Sequence, residues 1–111
     1  MREWNKKELD EFIKQKRTGF IYLYTPFCGT CQVSGKMLLV AEELLPEITI
    51  GKINLNYMSE LAEKWVVESV PCLVFIEEGA VVNKIYAFQS VPFLVDKMVR
   101  FNDISNKMTD Y

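Results

Sequence analysis

The sequence predicts one α/β domain built on a mixed four-strand central sheet with helices on both faces. Three observations carry this. Helical and strand-like apolar patterns follow one another in the order α-β-α-β-α-β-β-α. The first two strands are joined through a helix, so they run parallel with a right-handed crossover. The last two are separated only by Glu77-Glu78-Gly79, a turn sequence, so they run antiparallel. The 111 residues suit one domain, and a hydrophobic content of 50% argues against disorder.

Each element has its own signal. Asn5 to Lys16 reads as an amphipathic helix, with Leu9, Phe12 and Ile13 on one face. Asn5 and Glu8, three residues apart, resemble a capping box. Thr18-Gly19 ends the helix. Phe20 to Thr25 is apolar at both parities, as a central strand covered on two sides would be. From Cys28 to about Leu45 the pattern is helical, with a kink expected at Ser34-Gly35 and a stop at Pro46. Ile48 to Leu55 alternates as a second strand. Ser59 caps a short helix to about Val66 with Leu61, Ala62 and Trp65 inward. Cys72 to Ile76 and Val81 to Ala87 form the hairpin. Ser90 caps a last helix with Pro92 in its first turn and Leu94, Val95, Met98 and Val99 inward. Residues 102–111 are polar and are expected to fray.

Composition removes several function classes. The net charge is −2 with no block of Lys or Arg, so nucleic acid and membrane surfaces lack an electrostatic footprint. No run approaches the ~20 apolar residues of a membrane span. Histidine is absent, which excludes a cysteine–histidine nucleophile pair and a zinc site of mixed cysteine and histidine ligands. Three cysteines cannot make a four-cysteine site either. The small, odd cysteine count and a charged start at Met1 to Glu8, without the apolar core of a signal peptide, lead to the expectation of a reducing cytoplasm.

The chemistry is concentrated in Cys28-Gly29-Thr30-Cys31. Two cysteines separated by two residues can close a small disulfide with little backbone movement, so they can cycle between dithiol and disulfide. A strand delivers this pair onto the start of a helix, which is the setting of a redox motif. The other reading is a structural or metal-binding pair, and it finds no further ligands in this sequence.

The element order with C-G-x-C on the first crossover resembles the thioredoxin family. The resemblance extends from Phe20 to the last helix. It includes Thr25-Pro26-Phe27-Cys28-Gly29-Thr30-Cys31, Lys52 in the following strand, Ser69-Val70-Pro71-Cys72 before an apolar strand, and Glu78-Gly79 at the hairpin. The thioredoxin fold it implies normally opens with an edge strand. Here only Met1 to Trp4 is available, so that strand is expected to be short or missing.

The resemblance implies the site. Cys28 would be the attacking nucleophile, its thiolate favoured by the helix N-terminus, and Cys31 would resolve the mixed disulfide. Pro71 would be cis and would align the substrate, with Val70 offering its backbone to an extended peptide. Phe27, Gly29, Thr30 and Val70 would contact substrate, with Phe88 extending that surface. Lys52 would assist catalysis.

Three residues depart from the pattern. Thr30 replaces a proline, adding a hydroxyl near the thiolate, so a somewhat more oxidising couple than a typical thioredoxin is expected. Tyr22 stands where the family buries an aspartate and cannot act as a base near neutral pH, since phenols ionise near ~10. Cys72 reads either as a third thiol near the redox centre or, more simply, as a small buried hydrophobe.

The function implied is a thiol–disulfide oxidoreductase that reduces protein disulfides without a bound cofactor. An external flavoprotein reductase or a low-molecular-weight thiol would supply electrons, and a monomer is expected. Two other roles fit the same residues. One is a binding module with weak catalysis. The other is a narrow reductase of mixed disulfides with small thiols, against which C-G-T-C lacks the Pro-Tyr dipeptide of glutaredoxins.

Overall fold

A computed structural model describes the backbone of residues 1–109, with side chains through residue 105. The elements are β1 (Arg2–Glu3), α1 (Lys6–Lys14), β2 (Gly19–Tyr24), α2 (Gly29–Leu44) and β3 (Ile50–Asn54). A 3-10 turn (Leu55–Tyr57), α3 (Glu60–Lys64), β4 (Cys72–Glu77), β5 (Ala80–Ile85) and α4 (Val91–Thr109) follow. The fold is the thioredoxin-type α/β arrangement anticipated from the sequence, with one more strand.

That strand is β1. The sheet has five strands in the order β1-β3-β2-β4-β5, not four. β1 is only two residues long and pairs parallel with Gly51 and Lys52 of β3. Periodicity cannot announce a two-residue strand; a tertiary contact holds it. The Trp4 N–H donates to the Lys52 carbonyl at 2.8 Å, and the buried Trp4 ring lies directly on Gly51, where a Cβ would overlap it.

β2 lies at the sheet centre, parallel to β3 and antiparallel to β4. Its side chains alternate between two cores. Phe20 and Tyr22 face Leu38 and Ala41 of α2 and Leu94 and Met98 of α4. Ile21 and Leu23 face Leu9 and Phe12 of α1 and Leu61 of α3. Two covered faces explain why β2 and β4 read as unbroken apolar runs.

Local signals account for most element ends. The Asn5 side chain accepts the Glu8 N–H, and the Glu8 carboxylate accepts the Asn5 N–H, so the capping box is complete. Glu78 and Gly79 have φ of 49° and 81°, the left-handed pair of a two-residue hairpin turn. Ser90 Oγ accepts the Phe93 N–H at 3.2 Å and opens α4.

Several expectations are corrected. α2 runs uninterrupted through Ser34-Gly35, because the helix is packed there: Ser34 is buried and the Tyr22 ring lies against Gly35. Ser59 precedes α3, but its backbone is already helical and its side chain makes no cap bond. β3 ends at Asn54, whose side chain accepts the Asn56 N–H and starts the 3-10 turn. α4 extends past Asn102 to Thr109, while residues 110–111 lie outside the described residues.

The Trp4–Gly51 contact is testable. Gly51→Ala should displace Trp4 and destabilise the fold by about 1–3 kcal/mol, the usual cost of overpacking. Urea unfolding measures this; a stability unchanged within ~0.5 kcal/mol would mean that Trp4 does not pin β1.

Candidate active site

The β2–β4 pairing assembles the site. Leu23 lies opposite Cys72, so the C-terminal end of β2 and the N-terminal end of β4 emerge side by side. The turn after β2 and the loop before β4 are therefore neighbours, although 42 residues separate Cys28 from Val70. The Cys28 N–H closes the turn onto the Thr25 carbonyl at 3.3 Å, and α2 starts at once.

Cys28 is the N-cap of α2 rather than its first helical residue. Its sulfur takes the place of the oxygen of a Ser or Asp cap. It accepts the Cys31 N–H at 3.1 Å and lies 3.2 Å from Thr30 Oγ1. Facing a thiolate, that hydroxyl is a donor. Two donors and the helix N-terminus thus converge on the sulfur of a half-exposed residue. Cys31 is one turn on, 3% exposed, and is disulfide-bonded to Cys28 with Cα atoms 5.1 Å apart. The Val70 carbonyl faces Cys28 Sγ at 3.9 Å across the groove. The Val70–Pro71 peptide is cis, as the resemblance implied.

The structure brings Phe27, Cys28, Gly29, Thr30, Cys31, Val70 and Pro71 to one end of the sheet. Phe27 is 97% exposed beside the cysteines. Phe88 does not extend that surface. It is 4% exposed and packs edge-on to Tyr22 at 5.9 Å, because the chain after β5 turns inward there toward the core under α2 and α4.

Lys52 stands apart from both sulfurs. It is half-buried in β3 opposite Tyr22, with its ammonium 4.7 Å from the Tyr24 ring centroid. Among the described residues it makes no salt bridge. A cavity of about 460 Å3 links it to Cys31, with Tyr22, Tyr24, Lys36 and Leu39 among its walls.

Tyr22 has a role that periodicity could not reveal. Its hydroxyl donates to the Cys31 carbonyl at 2.5 Å. Burial pushes its ionisation up to about 12, so it is a neutral donor at physiological pH and no proton acceptor.

A thioredoxin family profile matches residues 1–99. The chain is 42% identical over 96 residues to the thioredoxin-like protein YusE of Bacillus subtilis, covering 86% of this chain and 89% of that one. The chain belongs to the thioredoxin family. Solved thioredoxins share its fold. The Fasciola hepatica thioredoxin superposes with a TM-score of 0.77 at 22% identity, covering 91% of this chain and 99% of that one. The oxidized mitochondrial thioredoxin 3 of Saccharomyces cerevisiae gives 0.76 at 21%, covering 90% and 94%. With its C-x-x-C pair, this family member is a thiol–disulfide oxidoreductase. Among the described residues no helix is long and apolar enough to cross a membrane.

Cys72 is the one free thiol, and the structure moves it away from the redox centre of this thioredoxin-family protein. Its side chain enters the core under α1 and α3, on the opposite sheet face from Tyr22 and α2. It is fully buried, and desolvation raises its ionisation from 9.0 to about 11. The sign is that of a suppressed thiolate. At pH 8 the ionised fraction falls from about 10% to about 0.1%. Excess iodoacetamide at pH 8 should therefore alkylate the reduced native protein at Cys28 and spare Cys72 until urea unfolds it. Equal native labelling of Cys72, read by peptide mass mapping, contradicts this burial.

Proposed function

We propose that this protein reduces protein disulfides through the Cys28/Cys31 couple. The observation that carries the reading is the N-capping sulfur of Cys28, which meets solvent while holding the Cys31 N–H and the Thr30 hydroxyl.

The geometry supports the following steps. The Cys28 thiolate attacks a substrate disulfide, forming a mixed disulfide and expelling the other substrate sulfur as a thiolate. Phe27 offers an apolar contact, Gly29 and Thr30 leave the approach open, and the Val70 backbone pairs with the substrate chain beside Pro71. Cys31 then loses its proton and attacks Cys28 Sγ, releasing the second substrate thiolate and closing the Cys28–Cys31 disulfide. Two electrons pass to the substrate. An external flavoprotein reductase or a low-molecular-weight thiol returns them. Because Tyr22 is no base, the Cys31 proton leaves through the cavity shared with Lys52. The few cysteines, one of them a buried free thiol, support a reducing compartment such as the cytoplasm.

Insulin reduction with dithiothreitol tests the reading. Wild type should accelerate the turbidity, Cys28→Ser should not, and Cys31→Ser should accumulate a mixed disulfide through Cys28. An intact fold with no acceleration and no trapped species would overturn the reductase and favour a binding module.

Thr30 gives a separate expectation. Thr30→Val removes the hydroxyl donor and should slow Cys28 alkylation at pH 7 by about three- to tenfold, the value of one ordinary hydrogen bond. It should also move the redox equilibrium with dithiothreitol toward the disulfide. An unchanged alkylation rate would mean that the hydroxyl does not favour the thiolate.

A further inference from the structure

The loop that carries Val70 and Pro71 is held from outside the site by Lys84 of β5 and by Tyr86 just after that strand. α3 ends in a two-bond cap. The Val66 N–H donates to Glu63 O at 3.3 Å and the Val67 N–H to Ala62 O at 2.7 Å. This cap puts Val66 at φ 54°, where glycine is usual and a β-branched side chain is resisted. Lys84 compensates from across the fold. Its ammonium donates to the carbonyls of Trp65 and Val66 at 2.8 and 2.9 Å. Two residues further along the chain, Tyr86 Oη accepts the Glu68 N–H at 3.1 Å. The segment from Trp65 to Glu68 is thus fastened at three backbone atoms. Only Ser69 separates it from Val70, whose carbonyl faces Cys28.

We infer that Lys84 and Tyr86 are positioning residues for substrate: they set where the Val70 backbone lies, and so the affinity for extended polypeptide disulfides, without touching the reacting sulfurs. Tyr86 packs in the core that holds Cys72 and Leu61 of α3, while the helix that carries Cys28 and Cys31 is anchored in the core on the other sheet face. The redox pair and the substrate-aligning loop are therefore supported by different cores. The inference rests on the proposed reduction of protein disulfides at Val70.

The test separates substrate alignment from sulfur chemistry. The prereduced protein is mixed with insulin, which must lie along Val70, or with a small aromatic disulfide, which need not. Lys84→Met should raise the half-saturating insulin concentration by about tenfold or more, since it removes both bonds of a charged donor, with the limiting rate and the small-disulfide rate within about twofold. Tyr86→Phe should act in the same direction, by about threefold. Lys84→Arg should restore most of the affinity. Val66→Gly in the Lys84→Met background should restore it too, because glycine takes the left-handed conformation unaided. Unchanged insulin saturation, or equal losses with both disulfides, overturns the inference. Amide hydrogen exchange reads the loop without any activity. Exchange at Val67 and Glu68, whose N–H groups are bonded, should quicken in Lys84→Met while α2 stays unchanged, and unchanged exchange at both also overturns it. Wild type inactive on both disulfides would overturn the reductase reading alone.

Discussion

Leu23 and Cys72 face each other across β2 and β4, and the position of every group in the site follows from that register. Both strands are covered on two faces, so a slip of β4 by one residue would turn its side chains into the opposite cores. Leu73 would leave the α2 face, and Cys72 would enter it. The same slip would draw Val70 away from Cys28. Packing of ordinary apolar residues such as Ile21, Leu73 and Val74 therefore does the aligning that the chemistry needs, and none of them touches substrate.

Given that register, the sulfur of Cys28 joins folding to reactivity. As N-cap it satisfies the Cys31 N–H, one of the donors that the first turn of a helix leaves without a partner. An ionised sulfur does this better than a neutral one, and it also meets the positive end of the helix. Whatever free energy α2 lends to the thiolate, the thiolate returns to the start of α2, because the two equilibria are linked. Closing the disulfide removes the charge while keeping the cap contact in place. A long α2 anchored through Leu38 and Ala41 keeps that first turn from fraying when the charge comes and goes.

Local signals were legible in the sequence, while parity and long-range contacts stayed hidden. Asn5, Ser90 and Glu78-Gly79 act through neighbours a few residues away, so their roles could be read directly. C-x-x-C followed by Val-Pro was equally readable, since both are short motifs with their own local geometry. β1 was not, because two residues have no period and are held by Trp4 on Gly51. The face that Cys72 takes was hidden because β4 is apolar at both parities. Phe88 could not be told from a surface phenylalanine without knowing that Tyr22 lay beneath it. The work of Lys84 was masked in a similar way: a lysine in a hairpin strand reads as solvated charge, and only the end of α3 shows what its ammonium holds.

Tyr22 and Thr30 are on opposite sides of the first turn of α2, yet they bias the couple in one direction. A carboxylate buried under Cys31 would oppose a second negative charge there. The phenol of Tyr22 carries no charge in the physiological range and donates its proton to the Cys31 carbonyl. Lys52 has no carboxylate partner among the described residues, so its ammonium borders the shared cavity without an ion pair. Above the turn, the Thr30 hydroxyl adds a donor to Cys28. We propose that both changes favour the reduced state, with Cys28 as thiolate, over the disulfide, which makes the couple more oxidising than one with proline above and aspartate below.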